Sequence, residues 1–378
     1  MKRFIHFAND EKFIDKAYDE FQQFDSEVES HFTIFSNNSQ LKHIHFNCTI
    51  VKENYFKESG VEECLNSYDL IIIHFLDSRY FDLLKNKKVK TKILWIGWGG
   101  DYYWLINTLN KFSIYKELTK TNLGIKDNLL LKILKKFKNR QKVSLLNRIN
   151  YFSPVLEEDF LLIKKNYKSF KPAYLAWNYG NLEDHYQSNL PINGNSILLG
   201  NSATATNNHY DLLNIVDQLN LSDEKIFIPL SYGEKGYKDR LKNHLLKGGN
   251  KKKKFILLEE FLTLNDYNQI LSQCPNVFMG HIRQQALGNI ISLIYMGAKV
   301  FFFKESITYN YFVNKGILVF SYNQLLENHD LLKQPITQEN LQRNQEILLS
   351  LWGRNINNEY TKEIINFVLE RPKKIKND

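Results

Sequence analysis

The sequence has 378 residues, too many for one ordinary hydrophobic core and enough for two domains of about 150–200 residues each. Hydrophobic residues make up 43% and charged residues 24%, a globular composition that excludes a largely disordered chain. The three cysteines include no CxxC pair, which argues against a disulfide framework or a zinc site and favours a reducing compartment.

The net charge of +9 is concentrated at one place. Residues 111–142 hold ten Lys or Arg and two Asp or Glu, a local net charge of +8, which predicts contact with one anionic surface. The N-terminus lacks the apolar stretch of a secretory signal, and no run approaches the ~18 apolar residues that span a bilayer. We therefore expect a cytoplasmic protein with peripheral membrane contact.

Short apolar runs alternate with helical patterns along the first half. The predicted strands are 3–7, 32–35, 44–46, 69–76 and 92–98. The runs near 70 and 92 are almost wholly apolar, which is typical of parallel strands covered by helices on both faces.

The last of these strands continues into LWIGWGGDYYWL, residues 94–105. Three glycines predict a turn, and Asp101 follows with four large side chains after it. Such a pattern suits a sugar, because aromatic faces stack on its ring and a carboxylate takes a hydroxyl proton. A glycine-rich turn with Asp101 as helix cap is an equally good interpretation. His74 and His6, in predicted strands, are reserve candidates for the proton acceptor, although strand histidines more often belong to the core.

Residues 126–142, KDNLLLKILKKFKNRQK, predict a basic amphipathic helix with Leu130, Leu134 and Phe137 on one face. Such a helix can lie on anionic lipid, where each cation contributes roughly 1 kcal/mol. A core-facing helix with a solvated basic side is the alternative. His43 and His45 would bind a metal only with a third ligand that the sequence does not offer, so no metal site is predicted.

The second half repeats the strand and helix alternation. The predicted strands are 196–200, 225–230, 254–258, 276–280, 299–303 and 317–320. Two such halves predict two Rossmann-like α/β domains with parallel sheets. The polar stretch at 181–195 predicts the boundary between them, so that the first domain comprises residues 1–187 and the second comprises residues 188–350. The remaining residues, 351–378, predict a C-terminal helix crossing between the two domains, followed by a tail.

The stretch SILLGNSATATNNHYDLLNIV, residues 196–216, predicts a strand that ends at Gly200 and a helix that begins several polar residues later. A helix N-terminus offers free N–H groups and partial positive charge to a phosphate, and glycine lets the backbone approach it. Asn201 and Ser202 supply further donors, and Asn207 or Asn208 is expected to cap the helix. An ordinary capped strand-to-helix turn is the alternative.

The stretch NVFMGHIRQQALGN, residues 276–289, follows a second buried strand with a polar cluster at a predicted helix start. Arg283 is suited to two-pronged binding of a diphosphate, and Gln284 and Gln285 to polar edges. Gly288 removes bulk where a ligand must fit. Solvated polar groups at a surface helix are the alternative.

Four segments together resemble glycosyltransferase family 56. They are WIGWGGDYY (95–103), ILLGNS (197–202), IPLSYG (228–233) with Tyr237, and RQQALGNIISLIYMGAKV (283–300), in an order that fits the family over residues 70–350. The family comprises bacterial 4-alpha-L-fucosyltransferases, also described as TDP-N-acetylfucosamine:lipid II N-acetylfucosaminyltransferases, which act in enterobacterial common antigen synthesis.

The resemblance implies a GT-B fold and an inverting, metal-independent transfer from a nucleotide sugar, with the nucleotide in the C-terminal domain. It also implies a polyprenyl-diphosphate-linked saccharide as acceptor at the inner face of the inner membrane. The expected donor is a TDP-linked sugar, and no other cofactor is expected. Asp101 is then the first choice for the base, and Arg283 stabilises the leaving diphosphate. Further candidates for donor contacts are Tyr232, Gln284, Gln285, Asn289 and Glu305.

Three alternatives stay open. One is a GT-B transferase that uses a UDP- or GDP-sugar on a capsule or O-antigen acceptor. Another is a basic nucleic-acid-binding protein, which predicts cations spread along a groove rather than in one segment. The last is a non-catalytic scaffold on the membrane. The clustering of the charge disfavours nucleic acid as a partner.

Overall fold

The computed structural model describes residues 1–106, 113–125, 129–186, 190–221, 223–247 and 254–367. The chain divides into two compact units. The first unit comprises residues 1–110, 129–181 and 352–378, and the second comprises 111–128 and 182–351. The structure thus changes unit at 181/182 and 351/352, and the predicted boundaries are at 187/188 and 350/351. It also assigns 111–128 to the second unit, which the sequence pattern did not indicate.

The first unit holds a seven-stranded parallel sheet in the order β3-β2-β1-β4-β5-β6-β7. Its strands are β1 Lys2–Asn9, β2 Val28–Phe35, β3 Thr49–Val51, β4 Leu70–His74, β5 Lys92–Ile96, β6 Tyr151–Ser153 and β7 Ala173–Tyr174. Its helices, numbered along the whole chain, are α1 Ile14–Gln22, α2 Val61–Asn66, α3 Tyr80–Lys85, α4 Tyr103–Ile106, α6 Leu129–Leu146, α7 Glu157–Asn166 and α15 Arg354–Phe367.

The second unit holds a six-stranded parallel sheet in the order β10-β9-β8-β11-β12-β13. Its strands are β8 Ile197–Leu199, β9 Lys225–Pro229, β10 Lys254–Leu258, β11 Asn276–Met279, β12 Lys299–Phe302 and β13 Phe320–Ser321. Its helices are α5 Glu117–Leu123, α8 His209–Gln218, α9 Lys235–Lys247, α10 Leu264–Ser272, α11 Leu287–Met296, α12 Ile307–Asn314, α13 Tyr322–Glu327 and α14 Gln338–Trp352.

Buried apolar strands account for both cores. All residues of β4 and of β11 are buried, as their apolar sequences predict for strands covered on both faces. The C-terminal helix α15 belongs to the first unit, where Ile364 and Ile365 are buried in its core. The chain therefore returns to the first unit after completing the second, and the expected tail, 368–378, lies outside the described residues.

One predicted strand has no counterpart, and the strand predicted at 317–320 overlaps β13 only at Phe320. Residues 44–46 form no strand, because nearby backbone N–H groups are taken by side chains instead of by a neighbouring strand. The N–H groups of Lys42 and His43 donate to the Asp10 carboxylate, and that of His45 donates to Asp15 at 3.1 Å. The short strands β3, β6 and β7, of two or three residues each, were not predicted.

Candidate functional site

The strand order of the second sheet marks one place for a ligand. The order reverses between β8 and β11, and open α/β sheets bind ligands beyond the carboxyl ends of the strands at such a switch point. Gly200 follows β8 directly, and Gly280 follows β11 directly. The two stretches that the sequence singled out therefore meet at this point of the sheet.

Both glycines are required by close packing. Gly200 has φ +71°, and a Cβ added there would lie 2.7 Å from His209 Nε2. A Cβ added to Gly280 would lie 2.0 Å from the carbonyl oxygen of Asn207. Any side chain at either position would displace the loop between β8 and α8, residues 200–208, which we call the switch loop.

Asn207 organises the switch loop and does not cap α8 as predicted. Its side-chain amide donates to the Ser202 carbonyl at 2.9 Å and reaches Thr204 Oγ1 at 2.9 Å. Its Oδ1 accepts from the Asn201 N–H at 2.9 Å and from His281 Nε2 at 2.8 Å. Helix α8 has no side-chain cap, and its N-cap residue is Asn208, with φ +51°. The Asn207-Asn208 pair was the sequence signal for this network, but the pattern predicts a helix cap equally well.

The proton on His281 can be assigned from these contacts. Because the Asn207 amide nitrogen faces a carbonyl oxygen, Asn207 Oδ1 can only accept, and His281 must carry its proton on Nε2. Burial and, next, the positive charge of Arg283 hold the pKa of His281 well below its usual range. The ring is therefore neutral and fixes the loop after β11 to the switch loop.

A chain of hydroxyl groups extends this network. Ser202 Oγ lies 3.1 Å from Thr204 Oγ1, which lies 3.2 Å from Thr206 Oγ1. Thr206 donates to Gln285 Oε1 at 2.6 Å, and Gln285 Nε2 donates to Asn201 Oδ1 at 3.3 Å. The predicted donor-binding residues Asn201, Ser202 and Gln285 are thus joined in one uncharged hydrogen-bond network that follows Gly200 in the chain, and Gln285 lies two positions after Arg283.

The other predicted donor contacts are more scattered. Gln284 is buried, Asn289 is exposed on α11, and the Tyr232 side chain is 67% exposed while its carbonyl accepts from the Ala203 N–H. Gly288 was predicted to make room for a ligand, but a Cβ there would lie 2.8 Å from the Tyr186 ring. The glycine therefore makes room for a side chain of the protein itself.

A segment from the first half of the sequence completes this edge of the second unit. We call residues 113–125 the strap. Asn208 holds it, with Oδ1 accepting from the Lys116 N–H at 2.8 Å and Nδ2 donating to the Ile114 carbonyl at 3.2 Å. The Asp211 carboxylate accepts the first N–H groups of α5 at 2.9 and 3.0 Å. Lys116 Nζ lies 2.9 Å from Glu305 Oε1, so the predicted hydroxyl-binding carboxylate is ion-paired.

The catalytic candidates of the first unit lie in its interior. Asp101 is 4% exposed, and its carboxylate accepts from the N–H groups of Leu76 and Trp98 and from Trp95 Nε1, at 2.7 to 3.0 Å. Burial raises the pKa of Asp101 to about 6 against the opposing effect of these hydrogen bonds. It does not cap a helix but ties together the loops that follow β4 and β5. Its role as the base stays a prediction.

The two histidines form a buried pair. His6 Nδ1 lies 3.0 Å from His74 Nε2, and His74 Nδ1 lies 2.6 Å from the Tyr179 hydroxyl. Burial lowers the pKa of His74 to about 3, and burial together with His74 lowers that of His6 well below its usual range. Both rings are uncharged members of the first core in this conformation.

The basic segment is helical as predicted, with α6 spanning Leu129–Leu146. Residues 126–128, and most side chains up to 138, lie outside the described part, but Leu134 is described and is 56% exposed. Lys142 Nζ lies 5.2 Å from the Trp104 ring centroid. No helix among the described residues is long and apolar enough to span a membrane. Within the same residues, no three His, Cys, Asp or Glu side chains gather as a metal site.

Comparison with solved structures shows the GT-B glycosyltransferase fold. HepE of Anabaena in complex with UDP and glucose matches with a TM-score of 0.64 and 11% identity, covering 97% of this chain and 100% of that one. Sucrose-phosphate synthase from Thermosynechococcus elongatus matches with a TM-score of 0.65 and 9% identity over 97% and 99% of the two chains. The apo form of WaaB, a galactosyltransferase of the lipopolysaccharide outer core, matches with a TM-score of 0.60 and 6% identity, covering 97% of this chain and 99% of that one.

No curated protein gives a match to this sequence. The family match is with 4-alpha-L-fucosyltransferase, glycosyl transferase group 56, over residues 22–363. That range includes the switch loop, the loop after β11 and the strap. The chain therefore belongs to the 4-alpha-L-fucosyltransferase family, glycosyl transferase group 56, and is a glycosyltransferase.

Proposed function

We propose that this enzyme is an inverting, metal-independent transferase that moves a deoxyamino sugar resembling N-acetylfucosamine from a TDP-sugar. The proposed acceptor is a polyprenyl-diphosphate-linked saccharide of cell-surface polysaccharide synthesis, such as that of enterobacterial common antigen. Family membership supports the sugar chemistry, and the HepE structure with UDP and glucose supports a nucleotide sugar as donor. The observation that carries the proposal is the meeting of Gly200 and Gly280 at the switch point, where Gly280 lies three residues before Arg283 in the chain.

In the proposed reaction, the acceptor hydroxyl attacks the anomeric carbon and forms the new glycosidic bond. The bond from that carbon to the diphosphate oxygen breaks, and the nucleoside diphosphate leaves with the electron pair, while a base takes the hydroxyl proton. The developing negative charge needs donors that are already in place. Arg283, together with N–H and hydroxyl groups of the switch loop, supplies them in this proposal, while Tyr232 and Glu305 contact the base, ribose or sugar.

Arg283→Ala tests this assignment. Loss of one charge-stabilising group in the transition state costs about 3 kcal/mol, so we expect kcat/KM to fall roughly 100-fold. Arg240→Ala, an exposed arginine of α9, is the matched control and should leave the rate unchanged. An Arg283 variant with full activity would contradict the proposal.

A thermal-shift screen against TDP, UDP and GDP tests the donor. A ligand at about 100 times its Kd adds about 2.7 kcal/mol of stability, so the preferred nucleotide should give the largest shift. Preference for UDP or GDP would favour the second candidate, a transferase acting on a capsule or O-antigen acceptor. No shift with any nucleoside diphosphate would contradict a nucleotide-sugar enzyme.

Location at the cytoplasmic face of the inner membrane is part of the proposal. The exposed Leu134 on the basic helix α6 supports contact with anionic lipid. The protein should be recovered in the pellet when it is sedimented with anionic vesicles and should stay in the supernatant with uncharged vesicles. Leu134→Glu should weaken this binding, whereas unchanged sedimentation of that variant would argue against α6 as the contact.

A further inference from the structure

Four aromatic side chains form one contiguous surface in the first unit. We call Phe13, Phe75, Trp98 and Tyr179 the aromatic shelf. The Trp98 ring lies 5.6 Å from Phe13, 5.5 Å from Phe75 and 5.6 Å from Tyr179, measured between ring centroids. All four residues are only partly buried, so the shelf is not sealed inside the core, although the Tyr179 hydroxyl is bound to His74.

The shelf lies at the carboxyl edge of the first sheet. Phe75 follows β4 directly, Trp98 follows β5 by two residues, and Phe13 lies in the loop after β1. The order of this sheet reverses between β1 and β4, so its switch point adjoins the shelf. This is the position in the first unit that corresponds to the switch loop in the second.

Asp101 holds the shelf in place. Its carboxylate binds the N–H of Trp98 at 2.9 Å and that of Leu76 at 3.0 Å, and so joins the loops that carry the Trp98 and Phe75 rings. Phe75 has φ +68°, a conformation that a bulky side chain rarely adopts. Such backbone is retained where surrounding contacts enforce it, often at binding sites.

Two ammonium groups border the shelf. Lys12 Nζ lies 5.3 Å and Lys16 Nζ 5.9 Å from the Phe13 ring centroid. The carboxylates of Asp10 and Asp15 are occupied by N–H groups of residues 42–45 and by the His45 ring. Among the described residues, Lys12 forms no ion pair. The border of the shelf is therefore suited to an anion.

We propose that the aromatic shelf binds the phosphate-proximal sugar of the acceptor, with the ring stacked on Trp98, the Phe13 ring at its side and the phosphate beside Lys12 and Lys16. This inference rests on the proposed function, which supplies an acceptor of this class. Aromatic faces take the apolar face of a sugar ring, and an ammonium group beside them selects for a phosphate ester. Asp101 is then a positioning residue for this subsite.

The test is a titration of the full-length protein with N-acetylglucosamine 1-phosphate, followed by tryptophan fluorescence. Free N-acetylglucosamine and inorganic phosphate are titrated separately, because the proposal requires both parts in one molecule. We expect the sugar phosphate to change the emission and to bind at least about tenfold more tightly than either part alone. Trp98→Ala should weaken binding about tenfold, and Trp98→Phe, which keeps an aromatic face, less.

Two further variants keep the test interpretable if Trp98→Ala folds poorly. The double variant Lys12→Gln, Lys16→Gln should bind the sugar phosphate about tenfold more weakly than wild type does and should bind the free sugar with unchanged affinity. Phe261→Ala, which removes an aromatic ring that is 79% exposed in the second unit, is the control and should change nothing.

The outcomes separate this inference from the proposed function. If wild type shows no binding up to about 10 mM sugar phosphate while nucleoside diphosphates still stabilise it, the shelf is not the subsite and the proposed function stands. If Trp98→Ala instead abolishes stabilisation by nucleoside diphosphates, the shelf holds the nucleobase and the inference is overturned.

Discussion

Asn207→Ala should loosen the switch loop more than any other single truncation of a neutral side chain there. The amide group can donate two hydrogen bonds and accept two, and the contacts at 2.8 to 2.9 Å use this full capacity. Each is worth about 1 kcal/mol net, and removal leaves the Asn201 N–H and the Ser202 carbonyl without this partner. We expect the unfolding free energy to fall by about 3–4 kcal/mol.

The two units allow an internal reference for this measurement. Four of the five tryptophans lie between residues 95 and 177 of the first unit, and Trp352 lies at the end of α14, where the chain re-enters that unit. Tryptophan fluorescence therefore reports mainly the unfolding of the first unit in urea, whereas far-UV circular dichroism reports both units. The Asn207 variant should shift the circular dichroism transition and leave the fluorescence transition near that of wild type. Stabilisation by nucleoside diphosphates should be lost at the same time, because the loop that would contact the phosphates is no longer held.

Asn214→Ala is the matched control, since Asn214 is exposed in the middle of α8. Alanine has the higher helix propensity, so its effect should stay within about 0.5 kcal/mol. If Asn207→Ala loses less than about 1 kcal/mol, or loses stability while nucleotide binding is unchanged, the reasoning that this side chain builds the phosphate-binding loop is refuted.

Three further predictions follow from the same structure. Gly200→Ala should lose about 2–5 kcal/mol of stability in urea unfolding, through positive φ and the contact with His209; Gly236→Ala, with open space around it, should lose none. Because its folded pKa is raised to about 6, Asp101 contributes stability that is full below about pH 4 and lost as pH rises through about 6. The stability advantage of wild type over Asp101→Asn should therefore be smaller by about 2–3 kcal/mol at about pH 7 than at low pH. If Asp101→Asn instead lowers kcat while this stability difference does not change with pH, the result would favour Asp101 as the catalytic base. Asn208→Ala should raise hydrogen exchange in the strap but not in the first unit; unchanged exchange would show that other contacts hold the strap.

Much of the fold could be predicted because long apolar strands leave a clear pattern. The five buried strands β1, β4, β5, β11 and β12 were read directly from runs of large apolar residues. The strand predicted at 44–46 is absent because two aspartates bind backbone N–H groups of Lys42, His43 and His45, and no periodicity reports such contacts. The short strands β3, β6 and β7 were missed because they lack the apolar run that made the equally short β8 readable.

The sequence pointed to the two loops after β8 and β11 because each follows a buried strand, and the ends of parallel strands meet at one edge of a sheet. That β8 and β11 are neighbours came from the structure. The roles of individual residues could not be predicted. Asp101 and the histidine pair match the residue types of a proton acceptor, yet burial and hydrogen bonding, which depend on distant parts of the chain, place them inside the core.

The assignment of the strap also bears on how this enzyme can be divided. A fragment cut from the chain at residue 182 would leave Asn208 and Asp211 without the backbone groups that they bind, and would uncover the core where Tyr115 and Leu123 pack. A chimaera that exchanges the second unit between family members therefore has to transplant residues 111–128 along with 182–351. Recombination at a single crossover point would pair one parent's strap with the other parent's switch loop.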